Sequence, residues 1–168
     1  MAYHFFIVGK TTHRLRRGYN LDYAVGQGGR NALEDVMLLQ TLLRMLYIEN
    51  TSTNIGSLFP RLTDDIEVDG RYGPITHRYL MRFKNQLRAT GTKLYPDAIM
   101  DPFRDNDPFS VGKKSHTEYA FGQLLRGASV ADDESNLKKF DGLVEHEDTH
   151  PSLRAALTQQ RDDARQYA

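Results

Sequence analysis

Cysteine is absent from the 168 residues, which excludes disulfides, thiolate zinc sites and a cysteine nucleophile. A net charge is absent too, since 22 Lys and Arg stand against 22 Asp and Glu. Without a global basic field a chain has little means of releasing counterions from a phosphate backbone, so nucleic acid is not an expected partner. No apolar run approaches the roughly 20 residues that span a bilayer, and the mean hydropathy is −0.59, so no membrane span is expected. The longest apolar run near the start, Phe5-Phe6-Ile7-Val8, is too short for a signal-peptide core and follows no basic residue. The sequence therefore reads as a soluble protein of cytoplasmic synthesis with no signal peptide.

What is present suffices for a core. Hydrophobic residues make up 39%, with 8 Phe and 9 Tyr, and the length suits one domain. The neutral total hides local asymmetry. Residues 1–31 carry five basic side chains against Asp22 alone, and 32–70 reverse this with seven acids against Arg44 and Arg61. Residues 71–126 are basic again, ten against five, and 127–168 are acidic, nine against five. Two readings fit: solvated faces that partly neutralise one another, or a basic stripe for an anionic polymer or an acidic partner.

Residues 3–8 are aromatic and β-branched before Gly9-Lys10, which predicts a short strand that pairs within the chain near 21–25 or with a partner's sheet edge. Residues 18–29 read as an extended loop with glycines at 26, 28 and 29. Asn31-Ala32-Leu33-Glu34 then has the form of a capping box. Val36, Leu39, Leu43 and Leu46 share one stripe of a helix that ends near 47–49, before a polar loop over 50–60. Pro74 suits a first helical position, and Ile75, Tyr79, Phe83 and Leu87 follow at four-residue spacing. Three prolines punctuate a loop over 91–114, a third helix is predicted over 115–126, and 127–150 reads as acidic and irregular around Leu137, Phe140, Leu143 and Val144. Pro151 opens a last helix through Leu153, Ala156 and Leu157.

Three segments carry a resemblance. Glu34-Asp35-Val36-Met37-Leu38-Leu39-Gln40-Thr41-Leu42-Leu43 holds an Asp-Val and a Leu-Gln pair before a further Leu. Val68-Asp69-Gly70-Arg71-Tyr72-Gly73-Pro74-Ile75-Thr76 holds an Asp-Gly, an aromatic, a Gly and a Thr, and Phe83-Lys84 follows. Pro96-Asp97-Ala98-Ile99-Met100-Asp101-Pro102 precedes the third predicted helix. In this order, over about 26–126, they resemble the peptidoglycan-binding-domain-like family. The sequence departs from that pattern where Lys84 stands for Gln and where Ala98 and Asp101 stand for Gly. The stretches between Tyr47 and Ile66 and between Pro102 and Ser115 are longer than usual for the family.

The resemblance implies a compact three-helix core over 26–126; with the N-terminal strand or arm over 1–25 and the acidic loop and C-terminal helix over 127–168 read from the residues, the expected fold is mainly α. It further implies a non-catalytic module that binds peptidoglycan, with no cofactor. The expected ligand-binding residues are Arg71, Tyr72, Arg78, Arg82 and Asn31, because an aromatic face and cationic forks suit sugar rings and peptide-stem carboxylates. The same turn residues also make sense without a ligand, with Asp69-Gly70 as a turn, Thr76 bonding backbone and Tyr72 plugging the core. Such modules usually accompany a secreted hydrolase, and here neither a hydrolase motif nor an export signal is evident. The alternative is an adaptor, cargo or structural component of a phage-tail-like, contractile injection or type VI secretion apparatus. Its partner would be a protein of an envelope-spanning assembly, and delivery to the envelope or export would come with that apparatus.

His146-Glu147-Asp148-Thr149-His150 matches the zinc-peptidase pattern H-E-x-x-H literally. That chemistry needs both histidines on one helix face. Pro151 pushes the residue before it out of the α region, so His150 is expected to end a loop, and no metal site is expected. Asp64-Asp65 and Asp132-Asp133 fall in turn-rich segments where no desolvation would tune a catalytic carboxyl.

Overall fold

The computed structural model describes residues 1–8, 15–49, 62–113, 115–129, 134–159 and 161. Among them the chain is predominantly helical, with a short N-terminal two-stranded sheet. No helix among the described residues is long and apolar enough to cross a membrane.

The sheet pairs β1 (Tyr3–Val8) antiparallel with β2 (Leu15–Asn20), in register from Tyr3 opposite Asn20 to Val8 opposite Leu15. The strand at 3–8 is where the sequence places it, but its partner is not the segment near 21–25. Gly18, Tyr19 and Asn20, expected in a loop, lie in β2 and are buried. The Leu15–Asn20 run carries two arginines and a glycine and so has little strand character of its own; the backbone groups of β1 supply the pairing. Val25–Gly26 forms β3, which pairs antiparallel with β4 (Ile99–Met100). Gly26 is required there: its φ is +141°, and a Cβ would sit 2.1 Å from the Ala98 carbonyl oxygen.

The first helix, α1 (Leu33–Arg44), continues as a π-helical turn over Met45–Glu49, so the chain leaves it where the stripe predicts. All nine residues from Asp35 to Leu43 are buried, because the helices over Pro74–Ala89, Ala120–Ser129 and Pro151–Leu157 and strand β3 surround it. A helix walled in on all sides must satisfy its few polar side chains internally. The capping box is not formed. Ala32 occupies the cap with no side-chain bond, while Asn31 adopts φ +50° and spends its amide on the preceding loop. Its Oδ1 accepts from the Gly26 N–H at 2.8 Å, and its Nδ2 donates to the Gly26 and Gly29 carbonyls at 3.0 and 3.1 Å.

α2 (Pro74–Ala89) starts at its proline as predicted. Its buried face is Thr76, Tyr79, Leu80, Phe83, Lys84 and Gln86, whereas Ile75 is exposed and Leu87 half-buried. The four-residue ladder drawn from the sequence drifts off a 3.6-residue period, and the polar members of the true face are buried because each has a partner. α3 (Ala120–Ser129) begins five residues later than the predicted 115. The preceding residues instead close a turn, with the Gly112 N–H donating to the Thr117 carbonyl and a bridge from Val111 to Glu118.

The stretch expected to be irregular contains α4 (Glu134–Asp141). Phe140 and Leu143 join the core, and the Tyr19 hydroxyl donates to the Phe140 carbonyl at 2.7 Å while the two rings meet edge to face. α5 (Pro151–Leu157) buries Leu153, Ala156 and Leu157, as the sequence indicates. One hydrophobic core draws on all three segments of the chain, from Phe5 and Tyr19 through Leu39 and Phe83 to Leu157. The polar loop expected over 50–60, the Leu137 side chain and the Asp132-Asp133 pair fall outside the described residues.

Candidate functional site

The turn between Asp69 and Gly73 is built against the middle of α1. Gly70 has φ +71°, and a Cβ on it would lie 2.4 Å from Leu33 Cδ1, so the turn lies directly against the start of α1. Gln40, 1% exposed, is the junction. Its Oε1 accepts from the Asp69 and Gly70 N–H groups at 3.1 and 2.9 Å. Its Nε2 donates to Asp69 Oδ1 at 2.8 Å, Thr76 Oγ1 at 3.0 Å and the Arg71 carbonyl at 3.2 Å. Two backbone donors on one side and oxygen acceptors on the other fix which way the amide points. Desolvation pushes the Asp69 carboxyl up, but the Arg71 N–H and the Gln40 amide outweigh it and hold the group below its ordinary value.

Of the expected binding residues, Arg71 and Tyr72 lie in this turn, and Asn31 lies two residues before Leu33, on which the turn packs. Arg71 is exposed. Tyr72 is half-buried, and its hydroxyl meets His77 Nδ1 at 2.7 Å, so it neither plugs the core fully nor presents a free face. Asn31 has committed its amide to the glycine loop and acts there as a positioning residue. Arg78 pairs with Asp64, and the Arg82 guanidinium lies 5.5 Å from the centre of the Tyr47 ring. The two arginines share α2 but are engaged by different neighbours, and they do not form an unengaged cationic stripe. Arg78→Ala should change stability by no more than about 0.5 kcal/mol, since the pair it breaks is half-exposed on both sides; a larger drop in a denaturant melt would mean that Asp64 depends on it.

A second feature lies at the other end of α2. Lys84, 2% exposed, donates from Nζ to Asp97 Oδ1 at 2.5 Å and to the Ile99 carbonyl at 2.9 Å. The residue that departs from the resembled pattern is thus an ammonium that clamps the segment around β4 onto α2. It lines a cleft of about 650 Å³ between that segment and the loop 101–119. Asp101 also lines it; desolvation, then the neighbouring Asp97 charge, pushes its carboxyl above the ordinary value, and Lys84 partly pulls it back. Sequence reasoning leaves Asp97, Asp101, Arg104 and Lys113 out of the site. The available signals are the Lys for Gln exchange and the long stretch between Pro102 and Ser115, which supplies one wall.

The H-E-x-x-H segment lies in a turn. His146 Nδ1 accepts from the Asp148 N–H at 3.3 Å, and His150 caps α5 by accepting from the Ser152 N–H at 3.3 Å. The second histidine stands outside the helix, as Pro151 dictates, and the two rings do not share a helical face. The comparisons with known proteins found no family model, curated protein or solved structure that matches the chain.

Proposed function

We propose that the chain is a non-catalytic binding module with a three-helix core of the peptidoglycan-binding-domain-like kind, and that its ligand is peptidoglycan. The observation that carries the reading is the Gln40 junction. It brings the Leu-Gln of the first resembling segment onto the Asp-Gly and the Thr of the second, 29 and 36 residues further on. Lys84 then ties the second segment to Asp97 of the third. Three motifs that resemble one family in sequence order are thus joined to one another by buried or half-buried polar contacts, which is what parts of one functional unit would do. The binding surface in this reading is the shallow face formed by Arg71, the accessible edge of the half-buried Tyr72 and the exposed Leu33 and Ile75 at the starts of α1 and α2.

Sedimentation with purified sacculi tests it. Wild-type protein is expected in the pellet, and Tyr72→Ala in the supernatant with its melt close to wild type, because the ring is only half-buried. Failure of wild-type protein to sediment, with one stoichiometric protein partner recovered from native lysate, would replace the wall reading by the adaptor of an envelope-spanning apparatus.

A further inference from the structure

The cleft beside Lys84 has the composition of a ligand site. Its volume, about 650 Å³, falls within the roughly 300–1,000 Å³ of small-molecule sites. A buried charge stands in its wall: the Lys84 side chain is 3% exposed, and an ammonium has three N–H groups, of which Asp97 and the Ile99 carbonyl take two. Asp97 and Asp101 present carboxylate oxygens, a third acid of the lining, Glu118, is engaged by Arg126 and Gln123, and Arg104 and Lys113 present cations with no ion-pair partner among the described residues. Tyr95, 58% exposed, offers an aromatic face.

The far wall is anchored. Asp105, Asn106 and His116 adopt φ values of +54°, +52° and +51°, and Asn106 is 5% exposed, its Oδ1 accepting from the Tyr3 hydroxyl at 2.9 Å. Phe103 within the same loop is held at both its N–H and its carbonyl by the Asn20 amide, at 3.2 and 2.8 Å. A loop tied to β1 and β2 in this way keeps its lining groups in place before a ligand arrives.

Ligand classes separate by charge. A phosphate would bring up to two negative charges against Asp97 and Asp101, and an amine would meet Lys84, Arg104 and Lys113. An apolar ligand would strand the six charged side chains of the lining without water. A sugar ring with a single carboxylate suits both signs of charge: its vicinal hydroxyls donate to Asp97 and Asp101, its carboxylate accepts from the cations, and its C–H face lies on an aromatic. We infer that this cleft is a binding site for an acidic sugar, distinct from the Arg71–Tyr72 face, in which Arg104 and Lys113 hold the carboxylate, Asp97 and Asp101 the hydroxyls, and Tyr95 the ring face.

D-glucuronic acid and D-glucose differ only in a carboxylate for a hydroxymethyl group and make the probe pair. In an amide-resolved NMR titration of the full chain, glucuronic acid should give saturable shifts at residues 95–104 and 112–119. Glucose should bind at least about tenfold more weakly, the loss of one charge-assisted hydrogen bond. Arg104→Ala with Lys113→Ala should bring glucuronic acid down to the glucose level, and Tyr95→Ala should weaken both sugars. Lys113→Glu, at an exposed position, gives the same reading should the Arg104 change disturb the loop. Absence of saturable shifts, equal binding of the two sugars, or shifts centred on residues 69–75 would overturn the assignment. The titration and sacculus sedimentation fail independently: loss of glucuronic acid binding with sacculi still retained removes this site and leaves the wall reading standing.

Discussion

Gln40→Leu should destabilise the fold by about 3 kcal/mol, seen as a lower urea midpoint with an unchanged slope. Leucine fills nearly the same volume, so the loss is one of hydrogen bonding and not of packing. The Asp69 and Gly70 N–H groups lose their acceptor, and the Gly70 bond is fully buried. Each stranded buried donor costs about 1–3 kcal/mol, and Thr76 Oγ1 and Asp69 Oδ1 lose a donor as well. A variant within about 0.5 kcal/mol of wild type would mean that water replaces the amide and that the junction is incidental.

Gln40→Glu separates charge from shape. One carboxylate oxygen could still accept both backbone N–H groups, but the other would replace Nε2 opposite Asp69 Oδ1, now 2.8 Å away. Two carboxylates at that distance cannot both ionise cheaply, so the folded-state value of the new acid rises above its unfolded value of about 4.3. The native state then binds more protons than the unfolded state in the window above that value, and stability grows as pH falls from 7 through it. Wild type slopes the other way. Asp69 lies below its ordinary value in the folded protein, so its contribution is present above the unfolded value and is lost as pH falls through the folded one.

The parts legible in the sequence are those written in local spacing. The apolar stripe from Val36 to Leu46, the proline opening α2 and the proline after His150 each act within a turn or two of chain, and the structure follows them. What stays hidden depends on partners far along the chain. Gln40 reads as a polar interruption of an apolar run, and nothing local says that its partners lie 29 to 36 residues away. Asn31 has the residue type of a helix cap, yet the loop after β3 needs a left-handed residue there and claims the amide first. β2 has no strand pattern because β1 and the core beneath impose its conformation. In the expected site the turn holding Arg71 and Tyr72 lies beside α1. Asp64 and Tyr47 engage Arg78 and Arg82, and neither neighbour is signalled by spacing. Lys84 stands out as a departure from a pattern, but its burial becomes interpretable only once Asp97 stands next to it.

That pair should respond asymmetrically to losing either member. Asp97→Asn keeps an acceptor for Nζ and for the Ile99 N–H, and removes only the charge. Lys84 is then an ammonium, 3% exposed, that has lost its bonded counter-ion and keeps only the charge of Asp101 nearby, and the expected cost is about 3 kcal/mol. Lys84→Met instead leaves a carboxylate that is 26% exposed and can turn to water, while the methionine keeps the packing; about 1 kcal/mol is expected. The double variant has neither charge to desolvate, so it should lie within about 1 kcal/mol of wild type, far from the sum of the two single changes. A denaturant-derived double-mutant cycle reads this directly. Equal single costs that simply add would show that Lys84 is held by packing and the Ile99 carbonyl alone, and that Asp97 does not set the charge balance at the wall of the cleft.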